Sequence, residues 1–363
     1  MTNRIILYDL SFLGDDRVSG VERFSVEIYQ RLSNTENRRI YVLLPKDYKE
    51  KATNDNVSHI VLPFKNKILN HTFMFYVLFF TKIDKAFFPA FPPFPLFYAL
   101  CAYKKVALIR VIHDVVYWKR KSTLSFKSKL YLKPLETWLL KRYTKVVTVS
   151  QYSSKKITDT HGINNIFICP NGVSLIFNSI KTKKDHKPIK LISVGTIEPR
   201  KNFLFLIDVL EKLTLLNINA ELTILGRKGW GHKPLMNKIN TSPCAKKVHI
   251  KCGLTDRQLN KEYNASSIFV FPSLEEGFGI PIIEAMRTGL PVVASHNSAI
   301  TEIVSNHGIL IDNYDASTWA KEIINLINSP THYTKMTELS LERAQHFSWD
   351  NSAQKLMGLM DEK

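Results

Sequence analysis

The chain alternates short apolar runs with longer amphipathic stretches. Ile5 to Leu10 is an apolar run typical of a buried parallel strand, and an amphipathic helix pattern, VERFSVEIYQRL, comes soon after it. The same rhythm restarts at Ile189 and continues to Ile311. Repeated βα units predict parallel sheets with helices on both faces, once in each half of the chain. The predicted fold class is therefore α/β, with two Rossmann-like domains.

A polar, lysine-rich stretch separates the two halves. Residues 178–188 contain SIKTKKDHKP and end at a proline, which is typical of a linker. The predicted domains are therefore residues 1–177 and 189–347. Residues 348–363, SWDNSAQKLMGLMDEK, predict a capped amphipathic helix. A length of 363 residues also suits two domains better than one.

One uncharged stretch, Ala86 to Tyr103, is long enough to be a candidate for a membrane span. It is predicted instead to be a buried strand followed by an aromatic loop, because prolines would break a spanning helix. These prolines are Pro89, Pro92, Pro93 and Pro95. The N-terminal residues lack the long apolar run of a signal peptide. The four cysteines show no zinc-site spacing, so reduced thiols in a cytoplasmic protein are expected.

The net charge of +18 points to an acidic partner, which is a nucleic acid, an anionic membrane or a phosphorylated substrate. Much of this charge lies between Lys119 and Lys145, where Glu136 is the only acidic residue. An apolar stripe at helical spacing runs through the same segment. Two interpretations stay open: a solvated face above a core stripe, or a basic helix that lies on anionic lipid.

The strongest candidate chemistry lies in the stretch FPSLEEGFGIPIIEAMRTGLPVVAS, residues 271–295. Glu276 is predicted on a loop, and Glu284 in the first turn of a helix that starts near Pro281. The turn between them offers backbone N–H groups and a helix dipole, which favour an anion. Carboxylates beside an anion site suit a nucleotide-sugar, which has hydroxyls and phosphates. The alternative is an ordinary βα turn with surface carboxylates.

Three further positions are candidates. Arg200 and Lys201, in the string GTIEPRKN, are predicted to meet a pyrophosphate from the side opposite the Glu276 loop. His113 and Asp114 follow an apolar strand, and the carboxyl ends of parallel strands line the ligand crevice. Ser19-Gly20 lies between the first strand and its helix, where a glycine permits close approach of backbone to a ligand. Taken alone, each has a plainer interpretation as exposed charge, structural histidine or loop glycine.

The combination of EGFGIPIIEAM with GTIEPRKN, SGVERFSVEIYQRL and VIHD resembles the retaining GT-B glycosyltransferases of family four. The resemblance extends over most of the chain, although its specific motifs are in the second half. It implies two Rossmann-like domains that face each other across a cleft, with the terminal helix crossing back to the first. It also implies transfer of a sugar, with retention, from a nucleoside-diphosphate-sugar to a lipid-linked glycan acceptor. O-antigen, capsule or exopolysaccharide assembly is the implied context.

The resemblance also implies residue roles. Glu276 would hold the sugar hydroxyls, Glu284 the ribose hydroxyls, and His113 would lie against the sugar or the acceptor with Asp114 as its neighbour. The implied donor-binding residues are Gly20, Arg200, Lys201, Gly277, Phe278, Gly279, Ile280 and Glu284. The chain departs from the family at Ser19, where many members have a second glycine, and at Thr196, where some have their arginine.

Several other chemistries are excluded by inspection. No two aspartates stand two apart, so an Asp-x-Asp metal site is absent, and neither a metal nor a cofactor is expected. No Walker, dinucleotide or serine-hydrolase motif is present. Two alternatives remain: a GT-B sugar-nucleotide epimerase, and a basic nucleic-acid-binding protein, although no nucleic-acid module is recognisable. The expected location is the cytoplasm, peripherally at the inner face of the membrane, with anionic lipid as a partner and no nucleic acid.

Overall fold

A computed structural model describes residues 4–14, 19–35, 38–48, 54–64, 67–93, 95–115, 136–180 and 187–362. The chain forms two compact units. The first comprises Met1–Asn171 together with Trp349–Lys363, and the second comprises Gly172–Ser348. Each unit is built on one parallel sheet, so the predicted α/β class is confirmed.

The first unit has a seven-stranded parallel sheet with the order β3-β2-β1-β4-β5-β6-β7. Its strands are mostly apolar, as expected for a parallel sheet, and the core is built from side chains such as Leu7, Phe88 and Leu108. The strands are β1 (Arg4–Asp9), β2 (Arg38–Leu44), β3 (Val57–Val61), β4 (Lys85–Phe88), β5 (Ala107–Ile112), β6 (Lys145–Thr148) and β7 (Ile166–Ile168). The helices are α1 (Gly20–Ser33), α2 (Lys67–Phe80), α3 (Pro95–Tyr103) and α4 (Gln151–His161).

Helix α3 corrects the prediction of a long aromatic loop after β4. The loop ends at residue 93 within the described part, and Pro95 starts the helix. Proline is well tolerated at the first position of a helix, because its missing N–H would have no helical partner there. The prolines of this segment therefore exclude a spanning helix but permit a short one. Across the described ranges, no helix is both long and apolar enough to span a bilayer.

The second unit has a six-stranded parallel sheet with the order β10-β9-β8-β11-β12-β13. The strands are β8 (Ile189–Val194), β9 (Ala220–Leu225), β10 (Val248–Lys251), β11 (Ile268–Phe271), β12 (Val292–Ser295) and β13 (Ile309–Ile311). The helices are α5 (Phe203–Leu215), α6 (His232–Thr241), α7 (Asp256–Ala265), α8 (Ile280–Arg287), α9 (Ser298–Val304), α10 (Ala316–Asn328) and α11 (Pro330–Gln345). Short 3₁₀ turns cover Pro199–Lys201 and Ala245–Lys247.

The predicted linker, residues 178–188, is a linker only in part. Its first residues belong to the second unit, because they bond to helix α7. The backbone N–H of Asn178 donates to Asn260 Oδ1 at 3.2 Å, and that of Ile180 donates to Asn264 Oδ1 at 2.8 Å. The ring of Phe177 packs against Tyr263 with centroids 5.9 Å apart. Residues 172–177, predicted in the first domain, are therefore also part of the second unit, and residues 181–186 lie outside the described residues.

The last helix, α12 (Trp349–Asp361), belongs to the first unit. The ring of Trp349 lies 6.0 Å from Phe24 of α1. Asp350 forms an ion pair with Arg31 at 2.6 Å, and Asp361 forms one with Arg38 at 2.5 Å. The helix is thus fixed to α1 and β2 by a buried apolar face and flanking charges.

Candidate functional site

The loop after β11 carries the acidic and glycine-rich motif. It leads into helix α8, whose N-terminal cap is Gly279 with a φ of 109°. Only glycine adopts this left-handed conformation without strain, and a Cβ there would lie 2.9 Å from Ile282 Cδ1. The second glycine of the GFG string is therefore required by the turn itself. The helix places Pro281 in its first turn, where a proline is compatible with the backbone.

Glu276 lies on this loop and is only 5% exposed. Its carboxylate forms ion pairs with Arg200 Nη1 at 2.6 Å and Lys201 Nζ at 2.7 Å, and the hydroxyl of Ser273 donates to it. Burial raises the pKa of the Glu276 carboxyl, but the two cations outweigh burial and hold the pKa at about 2. The side chain is therefore an anion at any physiological pH.

Lys201 is the buried cation of this cluster, with 8% of its surface exposed. Its ammonium lies 5.1 Å from the centroid of the Phe271 ring. Burial lowers the pKa of Lys201, and the charge of Glu276 opposes that change. Its aliphatic part passes Gly195 so closely that a Cβ there would lie 3.1 Å from Lys201 Cε. The glycine at the end of β8 thus makes room for the lysine to reach Glu276.

Arg200 joins the 3₁₀ turn to the acidic loop at several points. Its guanidinium bonds to the carboxylate of Glu198 at 2.7 Å and to the backbone oxygen of Glu275 at 2.7 Å. Its own carbonyl accepts the N–H of Leu274 at 2.8 Å. The prediction has these cations meeting a pyrophosphate from the side opposite the Glu276 loop, and in the structure they also contact the loop itself. Because the 3₁₀ turn packs directly on the loop, both cations pair with Glu276 itself.

Glu284 is buried in the second turn of α8, as the fifth residue of the helix. The prediction placed it in the first turn, and the difference arises because the helix begins at Ile280, directly after its glycine cap. The hydroxyl of Tyr263 donates to Glu284 Oε2 at 3.0 Å. Tyr263 is fully buried in α7, and the sequence offered no motif that would single it out.

The candidates of the first half lie in the first unit. His113 follows β5 and its Nε2 lies 2.7 Å from the carbonyl oxygen of Pro89. A carbonyl only accepts, so Nε2 carries the proton. Burial lowers the pKa of His113 to about 4, the hydrogen bond to Pro89 opposes that change, and the charge of Arg110 adds to it. The ring also packs edge-on against Phe24, with centroids 5.0 Å apart. His113 is therefore a neutral imidazole near pH 7.

The other two candidates of the first unit are Asp114 and Gly20. Asp114 is half-buried beside His113. Gly20 is the first residue of α1, and Ser19 caps that helix in a reciprocal arrangement with Glu22. The Ser19 hydroxyl accepts the N–H of Glu22 at 3.3 Å, and the Glu22 carboxylate accepts the N–H of Ser19. The Ser19-Gly20 pair thus has a structural role at the start of α1.

The structure brings three predicted residues into direct contact, namely Glu276, Arg200 and Lys201. Sequence reasoning missed the residues that hold this cluster in place, including Ser273 and Ser298. Ser273 lies three residues before Glu276 in the same string, so its proximity could have been inferred. Within the described ranges, no group of three histidine, cysteine, aspartate or glutamate side chains is arranged to hold a metal ion.

Two protein-family models match consecutive parts of the chain. The family described as Glycosyltransferase Family 4 matches residues 18–176, and the family described as Glycosyl transferases group 1 matches residues 176–343. The second match contains every predicted site residue of the second unit. The first match contains Gly20, His113 and Asp114.

Curated relatives include two bacterial mannosyltransferases. O-antigen chain mannosyltransferase B of Escherichia coli is 31% identical over 159 residues, which are 44% of this chain and 42% of that protein. O-antigen chain mannosyltransferase RfbU of Salmonella typhimurium is 27% identical over 210 residues, which are 57% of each chain. The matches thus span about half the length of these relatives.

Solved structures match over nearly the whole length. Anabaena HepE, crystallised with UDP and glucose, has a TM-score of 0.77 at 15% identity and covers 99% of this chain and 100% of its own. WaaG, a glycosyltransferase involved in lipopolysaccharide biosynthesis, has a TM-score of 0.72 at 14% identity and covers 99% and 100%. These likenesses confirm the fold predicted by the resemblance.

Proposed function

This chain belongs to the group 1 glycosyltransferases of GT-B fold, and on that premise we propose that it transfers a sugar, with retention, from a nucleoside-diphosphate-sugar to a glycan acceptor. The observation that carries the proposal is the buried cluster of Glu276, Arg200 and Lys201. The named relatives act on O-antigen chains, which supports surface polysaccharide as the product and mannose as the first sugar to test.

The cluster suits a diphosphate because it keeps two cations together in a water-poor place. Buried charges interact more strongly than exposed ones, and a bound diphosphate would share the cations that Glu276 neutralises. The turn at Gly277–Ile280 and the start of α8 supply backbone N–H groups and the positive end of a helix dipole. Together these groups stabilise the negative charge that grows on the leaving nucleoside diphosphate.

Glu276 acts as an acceptor of hydrogen bonds from sugar hydroxyls. With a pKa of about 2 it carries no proton to give, so it is not a general acid at neutral pH. Its two ion pairs fix the carboxylate before the donor arrives. The hydroxyls then meet a preorganised anion, which stabilises the transferred sugar as positive charge develops on it.

Glu284 and His113 have separate tasks in this proposal. Glu284, held by the Tyr263 hydroxyl, accepts hydrogen bonds from the ribose. His113 is neutral, and its protonated Nε2 is engaged by Pro89, so Nδ1 is the nitrogen that can accept a hydrogen bond. It lies against the sugar or the acceptor, with Asp114 beside it. The leaving phosphate assists deprotonation of the acceptor hydroxyl, since the family resemblance implies retention without a protein nucleophile.

A panel of nucleotide-sugars tests the proposal. GDP-mannose, UDP-glucose and dTDP-rhamnose are scored for thermal shift and hydrolysis, and the configuration of the released or transferred sugar is read by NMR. One donor should be consumed with its anomeric configuration retained. Inversion would contradict retention, and an epimerised donor in the absence of acceptor would favour the sugar-nucleotide epimerase. The hypothesis of a basic nucleic-acid-binding protein would be favoured if the protein is inactive with every donor and binds nucleic acid in a salt-sensitive way.

Metal independence and absence of a cofactor belong to the same proposal. Arg200 and Lys201 provide the positive charge that a divalent ion supplies in other transferases. Transfer should therefore survive excess EDTA at an unchanged rate. Loss of transfer in EDTA, restored by manganese or magnesium, would contradict this part of the proposal and leave the donor assignment intact.

The acceptor is proposed to be lipid-linked and presented at the cytoplasmic face of the membrane. The first unit exposes aromatic side chains at the end of α2, namely Tyr76, Phe79 and Phe80. Arg142 lies over the exposed Trp138 at 4.2 Å. Most of the basic segment Lys119–Lys145 lies outside the described residues.

The protein should co-sediment with anionic vesicles but not with neutral ones. This binding should weaken as salt rises, because exposed charges are screened over about 10 Å at an ionic strength of about 0.1 M. Equal binding to anionic and neutral vesicles, or no binding to either, would contradict the proposed attachment to an anionic membrane.

A further inference from the structure

Ser298, the first residue of α9, has a φ of 49°. This left-handed conformation is uncommon for a residue other than glycine and costs free energy. Such strain persists where the surrounding structure determines the conformation, and it is found often at functional sites. The contacts of Ser298 show which residues this strained conformation helps to hold.

Ser298 holds the backbone of Glu276. The N–H of Glu276 donates to Ser298 Oγ at 2.9 Å. The carbonyl of Glu276 accepts the N–H of Ala299 at 3.4 Å. Both polar backbone groups of Glu276 are thus bound by the start of α9, whereas its carboxylate is bound by Arg200 and Lys201. The residue is fixed from two independent sides.

Asn297 orients the Ser298 hydroxyl. That hydroxyl donates to Asn297 Oδ1 at 2.8 Å, so its lone pairs point toward the Glu276 N–H. The amide nitrogen of Asn297 donates to the carbonyl of Ser273 at 3.0 Å and to the hydroxyl of Tyr314 at 2.8 Å. Since a carbonyl only accepts, the orientation of the Asn297 amide is settled by this contact. A connected set of hydrogen bonds therefore runs from Ser273 through Asn297 to Glu276.

The carbonyl of Ser273, at the start of the loop, belongs to the same set of hydrogen bonds. It also accepts the hydroxyls of Ser295 at 2.6 Å and Tyr314 at 3.1 Å. The loop from Ser273 to Glu276 is consequently bound at both ends, by the last residue of β12 and by residues that follow this strand. Ser298 therefore binds the Glu276 backbone through contacts that are separate from the two ion pairs of its carboxylate.

We propose that Ser298 is a positioning residue that sets the Glu276 carboxylate for the donor sugar. The role rests on the proposed function, because Glu276 is there the group that contacts the sugar. Ser298 itself is not assigned a contact with substrate. It acts through the Glu276 amide, and its left-handed backbone is what aims the hydroxyl at that amide.

Three variants of the full chain test this role. Ser298→Ala removes the hydroxyl and keeps the backbone strain, while Ser298→Gly removes both. Ser305→Gly is the matched control, because Ser305 has a φ of 52° at the far end of the same helix and is exposed. Hydrogen exchange of the peptide covering residues 273–280 should be about five- to tenfold faster in both Ser298 variants and unchanged in the control. Unchanged exchange in the Ser298 variants would overturn the positioning role.

Kinetics separate positioning from folding. Both Ser298 variants should lower kcat with the consumed donor by roughly tenfold, while the Kd of the free nucleoside diphosphate changes less than about twofold. Ser298→Gly should keep its Tm within about 3 °C of the parent, because glycine relieves the strain. A parent-like kcat in both variants would overturn the inference. A parent inactive toward every donor would overturn the proposed function instead, and hydrogen exchange would still decide the contact.

Discussion

The two candidate regions of this molecule are the Glu276 cluster of the second unit and the surroundings of His113 in the first unit. They differ in the kind of contacts that hold their central side chain. In the second unit, Glu276 meets two cations, a serine hydroxyl and the start of α9, and all lie within 2.5–3.4 Å of it. In the first unit, the ring of His113 contacts the carbonyl of Pro89 and the ring of Phe24. One region is a charged, bonded cluster, and the other is a neutral side chain in a partly apolar setting.

The two regions can therefore supply different chemistry. A cluster of paired charges keeps its geometry in the absence of ligand, so the donor side is preorganised. A neutral imidazole carries no such field and contributes by shape and hydrogen bonding. The comparison is tested by substitutions that remove charge from the Glu276 cluster, or the ionisable ring of His113 from the first unit, while leaving the other region unchanged.

The largest expected effect comes from Glu276→Gln. The substitution keeps the shape of the side chain but removes the anion, so turnover should fall by about 10²–10³-fold. The nucleoside diphosphate should still bind, because Arg200 and Lys201 remain and lose their internal partner. Steady-state transfer and calorimetric binding measure the two quantities.

The neighbouring substitution Glu275→Gln is the matched control for this prediction. Arg200 binds the backbone carbonyl of Glu275, a contact that the substitution keeps. Turnover should stay near that of the parent. Glu276→Ala is less informative, since it removes the volume of the buried side chain as well as its charge and so adds a cavity to the loss of both ion pairs. Parent-like turnover in folded Glu276→Gln would remove Glu276 from the site.

The second prediction concerns acid stability. The pKa of Glu276 is about 2 in the folded state, below its ordinary value of 4.5, so its ion pairs stabilise the fold above pH 4.5. This stability, about 3 kcal/mol, should be lost as the pH falls from 4.5 through 2. Urea unfolding of the parent and Glu276→Gln, compared at falling pH, should show the gap between them narrowing. A constant gap would contradict the strength of these ion pairs.

The same contrast explains what the sequence could and could not predict. The α/β class follows from apolar runs at strand spacing, and Glu276, Arg200 and Lys201 follow from strings with a known resemblance. Their direct pairing could not be predicted, because it depends on how the 3₁₀ turn packs on a loop 75 residues away. Two predictions were wrong at helix starts: a loop was expected where α3 begins at Pro95, and Glu284 was expected in the first turn of α8. A proline or glycine marks a boundary but leaves open on which side the helix lies.

The third prediction concerns Lys201→Ala. Loss of a buried cation beside the diphosphate should weaken nucleotide binding by about 1.5–3 kcal/mol, or about 10–150-fold in Kd. Lys251→Ala is the control, since it removes only a surface pair with Glu262, which is worth at most about 1 kcal/mol of stability. Calorimetry with the nucleoside diphosphate checks both. Equal affinities in the two variants would show that the diphosphate is bound elsewhere.

The smallest expected effect belongs to the first region. The pKa of His113 is about 4 in the folded state, below its ordinary value of 6.5, because burial disfavours the charged ring. The neutral ring therefore stabilises the fold above pH 6.5, and this contribution is lost as the pH falls through 4. Between pH 5.5 and 8 its charge should not change at all. His113→Gln retains a donor for the Pro89 carbonyl and removes the ionisation, so it isolates charge from shape. The ratio of its transfer rate to that of the parent should stay within about twofold across this range. A ratio that changes tenfold around pH 6.5 would mean that His113 works as a titrating acid or base, and the two regions would then be alike in using charge.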